Sequence, residues 1–244
     1  MAPKNLSFKI ILGSSSMARR KILADMGYEF TVMGADIDEK RIRKDNAEEL
    51  VVALAEAKAD AIMSRLKTTD HLEENTHSTL LITADTFNTK PIFTVISLIE
   101  LRAYQKPFNA LIDLFGYISP TSIGIEVAVY DGIIREKPSS KEEARQFIKS
   151  YSGGQATVVG SVVVTNLTKG IRKGAWERSE VYFHDIPDEI IDSLIEEGII
   201  LNVAGGLMLE HPLTLPFVDT LIGTADSVMG LPRSLTEKLI EETL

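Results

Sequence analysis

The chain has 244 residues, no cysteine and a formal net charge of −9 at pH 7. The lack of cysteine excludes disulfides, zinc–thiolate sites and thiol nucleophiles, and the negative charge argues against a general attraction to nucleic acid or to an anionic membrane surface. No run of residues approaches the roughly 20 apolar residues of a membrane-spanning helix, and the amino terminus carries no apolar signal core. We therefore expect a cytoplasmic protein with a small anionic ligand, and with neither nucleic acid nor a membrane as a partner.

The most informative stretch lies near the amino terminus. Residues 8–12 are apolar and typical of a strand, residues 13–16 are one glycine and three serines, and a helical pattern follows. Arg19 and Arg20 in a first helical turn oppose the helix dipole, which favours an anionic partner. Free amide groups at a helix start, hydroxyls and a guanidinium together bind phosphate groups. The alternative is an ordinary capped helix with a solvated basic turn.

A long helix and a short strand follow. Residues 46–66 predict the clearest helix, with Asn46 as its cap and with Lys58 among small residues. Residues 80–83 predict a short buried strand, and Asp85 comes just after it. Since polar residues that follow strands often form the sites of α/β proteins, Asp85 is a candidate catalytic carboxylate.

The second half of the chain continues the alternation of helices and strands. The pattern predicts a helix after Ser140, strands over 157–164 and 181–184, a helix after Pro187, and a last helix with Ser234 and Glu237 as its capping box. This alternation predicts an α/β or mixed α+β architecture.

Residues 87–128 do not fit the alternation. The segment is poor in charge, rich in aromatic residues and without a consistent helical or strand period. We expect a single domain over residues 1–244 that this atypical insertion interrupts. A lid beside the site is one interpretation, and a splice variant or a translated intron that disables the site is the other.

Six short motifs follow one another along the chain: LGSSSMARR, ADIDE, AEAKA, ITADT, DGIIREKP and GTADSVMGLP. Their types and order resemble the Maf family of septum-formation-inhibitor homologues. The resemblance implies a fold like that of inosine-triphosphate pyrophosphatase, with a central mixed sheet flanked by helices. It also implies a homodimeric enzyme that uses Mg²⁺ or Mn²⁺ to hydrolyse a nucleoside triphosphate to the monophosphate and pyrophosphate.

The resemblance also implies roles for particular residues. Asp85 matches the catalytic aspartate that activates water, and Glu39 or Asp85 would hold the cation. Four residues would bind the triphosphate by this resemblance: Ser14, Arg19, Lys58 and Lys137. We add Ser16, because its hydroxyl lies in the same loop as that of Ser14. By residue type and context alone, Glu39, Lys58 and Lys137 would be ordinary solvated side chains.

Three positions bear on the base, and they disagree. Ala18 stands where the dTTP/UTP branch of the family has an arginine, and Glu210 stands where that branch has a glutamine. Both positions resemble the 7-methyl-GTP branch. At position 210, the carboxylate of a glutamate can accept hydrogen bonds from N1–H and from the exocyclic amine of a guanine. Thr86 favours the dTTP/UTP branch. We expect a modified or non-canonical nucleotide similar to 7-methyl-GTP. There are two alternatives. The chain hydrolyses dTTP or UTP, or it is a catalytically weak nucleotide-binding protein that the insertion has disabled.

Overall fold

A computed structural model describes residues 7–68, 78–89, 127–130, 133–135 and 137–244. The strands are β1 (Phe8–Leu12), β2 (Thr31–Val32), β3 (Ser78–Thr89), β4 (Val127–Tyr130), β5 (Ile133–Arg135), β6 (Gln155–Asn166), β7 (Ile171–Phe183) and β8 (Val218–Ile222). The α-helices are α1 (Met17–Asp25), α2 (Ala47–Thr68), α3 (Lys141–Tyr151), α4 (Asp188–Glu197), α5 (Ala225–Val228) and α6 (Arg233–Thr243). None of these described helices has the length and apolar character needed to cross a membrane.

The chain divides into two compact units, with boundaries inside β3, β6 and β7. Unit 1 comprises Met1–Asp85, Gly160–Glu177 and Met229–Leu244, and unit 2 comprises Thr86–Val159 and Arg178–Val228. The expected single domain with an insertion at 87–128 stays a prediction, and residues 90–126 of that segment lie outside the described residues.

Unit 1 is a sheet with helices on both faces. Its strand order is β2-β1-β3-β6-β7, and β1 pairs in parallel with both β2 and β3, with Leu12 opposite Ile82. One face of β3, which includes Ile82, packs into a core with residues of α1 and α6. Leu81 on the other face packs against Ala59 and Ile62 of α2. Burial of both faces explains why residues 80–82 of the central strand form a continuous apolar run, and the mixed α/β class predicted from the sequence is confirmed.

In unit 2, β7 pairs antiparallel with β8, the end of β3 pairs in parallel with β4, and β4 forms an antiparallel hairpin with β5.

Residues at the carboxyl end of α3 make buried contacts within unit 2. Tyr151 is buried, which raises its pKa to about 12, and its hydroxyl donates to the Gly205 carbonyl at 3.1 Å. The Arg135 guanidinium lies 4.4 Å from the ring centre of Phe147 and 5.4 Å from that of Tyr151. Stacking on two rings lets a buried cation keep favourable contacts.

Two details of the predicted elements are wrong. β3 continues to Thr89, so Asp85 lies inside the strand and not after it. The described register with β1 nevertheless ends at Ile82, which places Asp85 beyond the carboxyl end of that neighbour. The last helix begins at Arg233, with Pro232 at the N-cap position and no side-chain cap. The fixed φ of proline suits a helix start, so Ser234 falls within the first turn and cannot cap it.

Candidate active site

The serine loop, residues 13–16, joins β1 to α1. The Gly13 amide donates to the carbonyl of Ile82 at 2.7 Å. A Cβ atom at position 13 would lie 2.5 Å from Cγ2 of Thr83 and 2.8 Å from Cδ1 of Ile62. Only glycine therefore allows the loop to leave the sheet so close to β3 and α2. Because β1 and β3 are parallel, the loop starts at the edge of the sheet where Asp85 lies.

Hydrogen bonds hold the loop and the first turn of α1 together. The Ser14 hydroxyl oxygen accepts from the Ser16 amide at 3.2 Å and from Nη1 of Arg19 at 3.3 Å. The Ser16 hydroxyl caps α1 by accepting from the Arg19 amide at 3.4 Å. Nε of Arg19 donates to the Gly230 carbonyl at 2.8 Å, and the arginine is 4% exposed. Both serines keep a hydroxyl proton that can be donated to an anion.

Three charged side chains form a second group, the carboxylate–lysine cluster of Glu39, Lys58 and Asp85. Nζ of Lys58 lies 2.9 Å from Oε1 of Glu39 and 3.3 Å from Oδ2 of Asp85. The side chains of Lys58 and Asp85 are 8% and 2% exposed, and that of Glu39 is 22% exposed. Burial makes these charges dependent on one another, since an unpaired buried charge costs several kcal/mol by order of magnitude.

A hydrogen bond between α2 and β3 positions the cluster. The Thr83 hydroxyl donates to the Ala55 carbonyl at 2.8 Å. Thr83 and Asp85 are two residues apart and share one face of β3. Ala55 and Lys58 are three residues apart and share one face of α2. The bond therefore brings the helix face that carries the lysine onto the strand face that carries the carboxylate.

The donor set fits a hard divalent cation. Among the described residues there is no group of three or more acidic or histidine side chains arranged around a metal position. Mg²⁺ is commonly held by one or two carboxylates together with water and the phosphates of the substrate. Glu39 and Asp85, which one ammonium already bridges, match that requirement. They would hold such a cation only in part, with phosphate oxygens completing its coordination.

The structure thus gathers six of the predicted residues into two groups in unit 1. Ala18 lies half-buried in α1 of the same unit. The other three belong to unit 2, where Thr86 is buried and Lys137 is half-buried. Desolvation by burial raises the pKa of the Glu210 carboxyl above its ordinary value. The functional roles of all of these residues remain predictions.

Three supporting residues were missed from the sequence. Thr83 could have been found, because a period of two places it on the face of Asp85. Ser161 of β6 donates to the Val51 carbonyl of α2 at 2.7 Å, and no local pattern indicates this contact. Gly230 supplies its carbonyl to Arg19 across 211 positions of the chain. Gly230 lies in the last of the six motifs, but no local pattern of the sequence indicates its contact with Arg19.

The fold and these contacts define a mixed α/β protein. Its serine loop and its buried carboxylate–lysine cluster lie beyond the carboxyl end of β1, beside the parallel strand β3. The profile of the family described as Maf-like protein matches residues 9–111 and 120–243, and the chain belongs to this family. The predicted membership is therefore confirmed.

Curated relatives match over nearly the full chain. A 7-methyl-GTP pyrophosphatase of Dictyostelium discoideum is 32% identical, over 96% of this chain and 96% of its own. A nucleoside triphosphate pyrophosphatase of Salinispora tropica is 26% identical, over 98% of this chain and 85% of its own. A dTTP/UTP pyrophosphatase of Alkaliphilus metalliredigens is 25% identical, over 92% of this chain and 90% of its own.

Proposed function

We propose that this chain is a nucleoside-triphosphate pyrophosphatase, which hydrolyses its substrate to the nucleoside monophosphate and pyrophosphate. The observation that carries the proposal is the pairing of a buried lysine with two carboxylates, Glu39 and Asp85, beside a serine loop. Membership of the Maf-like family supports it. The activities named for the relatives support it as well.

The serine loop and two buried, positively charged side chains, those of Arg19 and Lys58, bind the triphosphate. Ser14 and Ser16 donate their hydroxyl protons to phosphate oxygens, and Arg19, fixed by Gly230, presents a positively charged edge. Lys58 contributes a second positive charge, and we assign Lys137 of unit 2 a third. These positive charges neutralise the negative charge of the bound triphosphate in the ground state and in the transition state alike.

Asp85 is the general base. Its carboxylate takes a proton from a water molecule, whose oxygen attacks the α-phosphorus. The bond from the α-phosphorus to the bridging oxygen breaks, and pyrophosphate leaves with the electron pair of that bond. A base in this position contributes roughly 10²- to 10⁴-fold in rate.

A divalent cation fits the same carboxylates. Glu39 and Asp85 would hold Mg²⁺ or Mn²⁺, which supplies Lewis-acid polarisation of phosphoryl oxygens when bound. The oxygen-only donor set supports these hard cations over softer ones.

We assign the base preference to a modified purine nucleotide similar to 7-methyl-GTP. Ala18 and the carboxylate of Glu210 support this preference, and so does the name of the Dictyostelium relative. Thr86 supports the second candidate, hydrolysis of dTTP or UTP, which is the activity named for the Alkaliphilus relative. The family resemblance also supports a homodimer, which light scattering tests. We assign the chain to the cytoplasm, which cell imaging tests.

The purified full chain tests the proposal with a panel of dTTP, UTP, GTP, 7-methyl-GTP and pseudouridine triphosphate. Each reaction contains Mg²⁺ or Mn²⁺, and pyrophosphate, orthophosphate and monophosphate are measured separately. We expect pyrophosphate and monophosphate in equal amounts, with 7-methyl-GTP cleaved fastest. Preparations of Asp85→Asn control for contaminating phosphatases. Nucleotide binding without turnover would favour the catalytically weak protein, and orthophosphate as the first product would refute a pyrophosphatase.

A further inference from the structure

We infer that Lys58 is the built-in counter-ion of the two carboxylates in the nucleotide-free protein, and that it competes with the divalent cation for them. The cation then binds strongly only when the phosphates of a nucleotide attract the ammonium away from Glu39 and Asp85. The inference rests on the proposed function and concerns the regulation of the same site.

The first support is the shared contact. One ammonium lies 2.9 Å from a Glu39 oxygen and 3.3 Å from an Asp85 oxygen. A divalent cation that uses both carboxylates must lie close to that ammonium, and the two positive charges repel each other, so the ammonium and the cation compete for the pair. Without either cation, two neighbouring carboxylates with little solvent around them would repel strongly. The lysine therefore stabilises the pair in the absence of metal and weakens the affinity of the pair for metal.

The second support is the contrast between the fixed backbone of α2 and the flexible side chain of Lys58. Its helix is fixed to β3 by the bond from Thr83 to Ala55 and to β6 by the bond from Ser161 to Val51. The flexible four-carbon stem of Lys58 can nevertheless move its ammonium without moving that backbone. Phosphate oxygens would offer the ammonium new acceptors, so neither the lysine nor the carboxylates would be left unpaired during the exchange.

Mn²⁺ binding to the nucleotide-free full chain tests the inference, with Mn²⁺ chloride as the probe and the electron paramagnetic resonance signal of free Mn²⁺ as the readout. We expect Lys58→Met to bind Mn²⁺ roughly tenfold or more tightly than the wild type, since one nearby unit charge shifts ion binding to a carboxylate by at least that much. Lys58→Arg keeps the charge and should bind as weakly as the wild type. Lys149→Met is the matched control, because Lys149 pairs with Asp188 at 3.0 Å on the surface of unit 2.

Lys58→Gln provides a second test if the methionine variant does not fold, since its amide can still donate to the carboxylates. Mn²⁺ should raise the melting temperature of Lys58→Gln more than that of the wild type. Equal Mn²⁺ affinities, or equal Mn²⁺-induced shifts, overturn the inference, and so does tight binding by Lys58→Arg.

The pyrophosphate assay separates the two proposals. If the wild type releases pyrophosphate while the Lys58 variants bind Mn²⁺ no better than it does, only the inference fails. If the variants bind Mn²⁺ more tightly while the wild type releases no pyrophosphate, only the proposed function fails.

Discussion

The serine loop and the carboxylate–lysine cluster are two polar groups at one edge of the same sheet, but they are assembled differently. The contacts of the loop are mostly local, since Ser14, Ser16 and Arg19 bond to one another within a few positions. The cluster joins residues from a short 3₁₀ turn, a helix and a strand. The loop can be recognised as a motif, whereas the cluster exists only after α2 packs on β3.

This difference leads us to expect different kinds of damage from mutation. Changes in the loop remove donors to phosphate groups, which bind in the ground state and in the transition state alike, and so they act largely on KM. Changes in the cluster remove the base or its surroundings, and so they act on kcat.

The largest expected effect comes from Asp85→Asn. The amide keeps the shape of the side chain but cannot take a proton from water, so kcat should fall by about 10³-fold. Steady-state kinetics with the preferred nucleotide measures kcat and KM, and calorimetry checks that nucleotide still binds. A kcat within tenfold of the wild type would show that Asp85 is not the base, and the contrast between the two groups would then be lost.

Arg19→Lys should lower kcat/KM by about 10- to 100-fold, mainly through KM. A lysine cannot donate in fork geometry to both Gly230 and Ser14, so the positive charge is no longer held in place. Arg172→Lys is the matched control, since Arg172 bonds to Asp60 at 2.7 Å and to Thr165 at 3.0 Å, and neither partner is a member of the serine loop or of the carboxylate–lysine cluster. An effect confined to kcat would mean that the loop and the cluster act as one unit.

Thr83→Val should destabilise the protein by about 1 kcal/mol and lower kcat several-fold. The change removes the hydroxyl that bonds α2 to β3 but preserves the side-chain shape. Thr157→Val is the control, because the buried Thr157 hydroxyl oxygen has no hydrogen-bond partner among the described residues. Urea unfolding should show Thr157→Val to be neutral or stabilising. Equal losses of stability in both variants would contradict a specific role of the Thr83 hydrogen bond in holding α2 on β3.

The smallest expected effect is that of Ser16→Ala. Its cap bond to the Arg19 amide is long, at 3.4 Å, so we expect a loss of about 0.5 kcal/mol, with a few-fold rise in KM from the lost hydroxyl donor. Ser15→Ala tests the specificity of this change, because Ser15 lies in the same loop but is exposed. If Ser15→Ala raises KM as much as Ser16→Ala does, the assignment of donors within the loop must be revised.

The sequence by itself determined the features that depend on neighbouring residues. The apolar run before Gly13 predicted β1, Asn46 predicted the start of α2, and the Asn46 side chain does accept from the Glu49 amide at 2.8 Å. Ser140 caps α3 as predicted, accepting from the Glu143 amide at 3.1 Å. The order of the motifs also indicated the family, and the mixed architecture followed from the alternation of helices and strands.

Only the tertiary structure decided which charges meet. Glu39 and Lys58 have the local sequence context of surface residues, and their burial with Asp85 depends on the packing of α2 against β3. The contact from Arg19 to Gly230 likewise spans almost the whole chain. Local patterns express the preferences of the backbone and the period of burial, but the pairing of buried charges depends on which surfaces come together when the core forms.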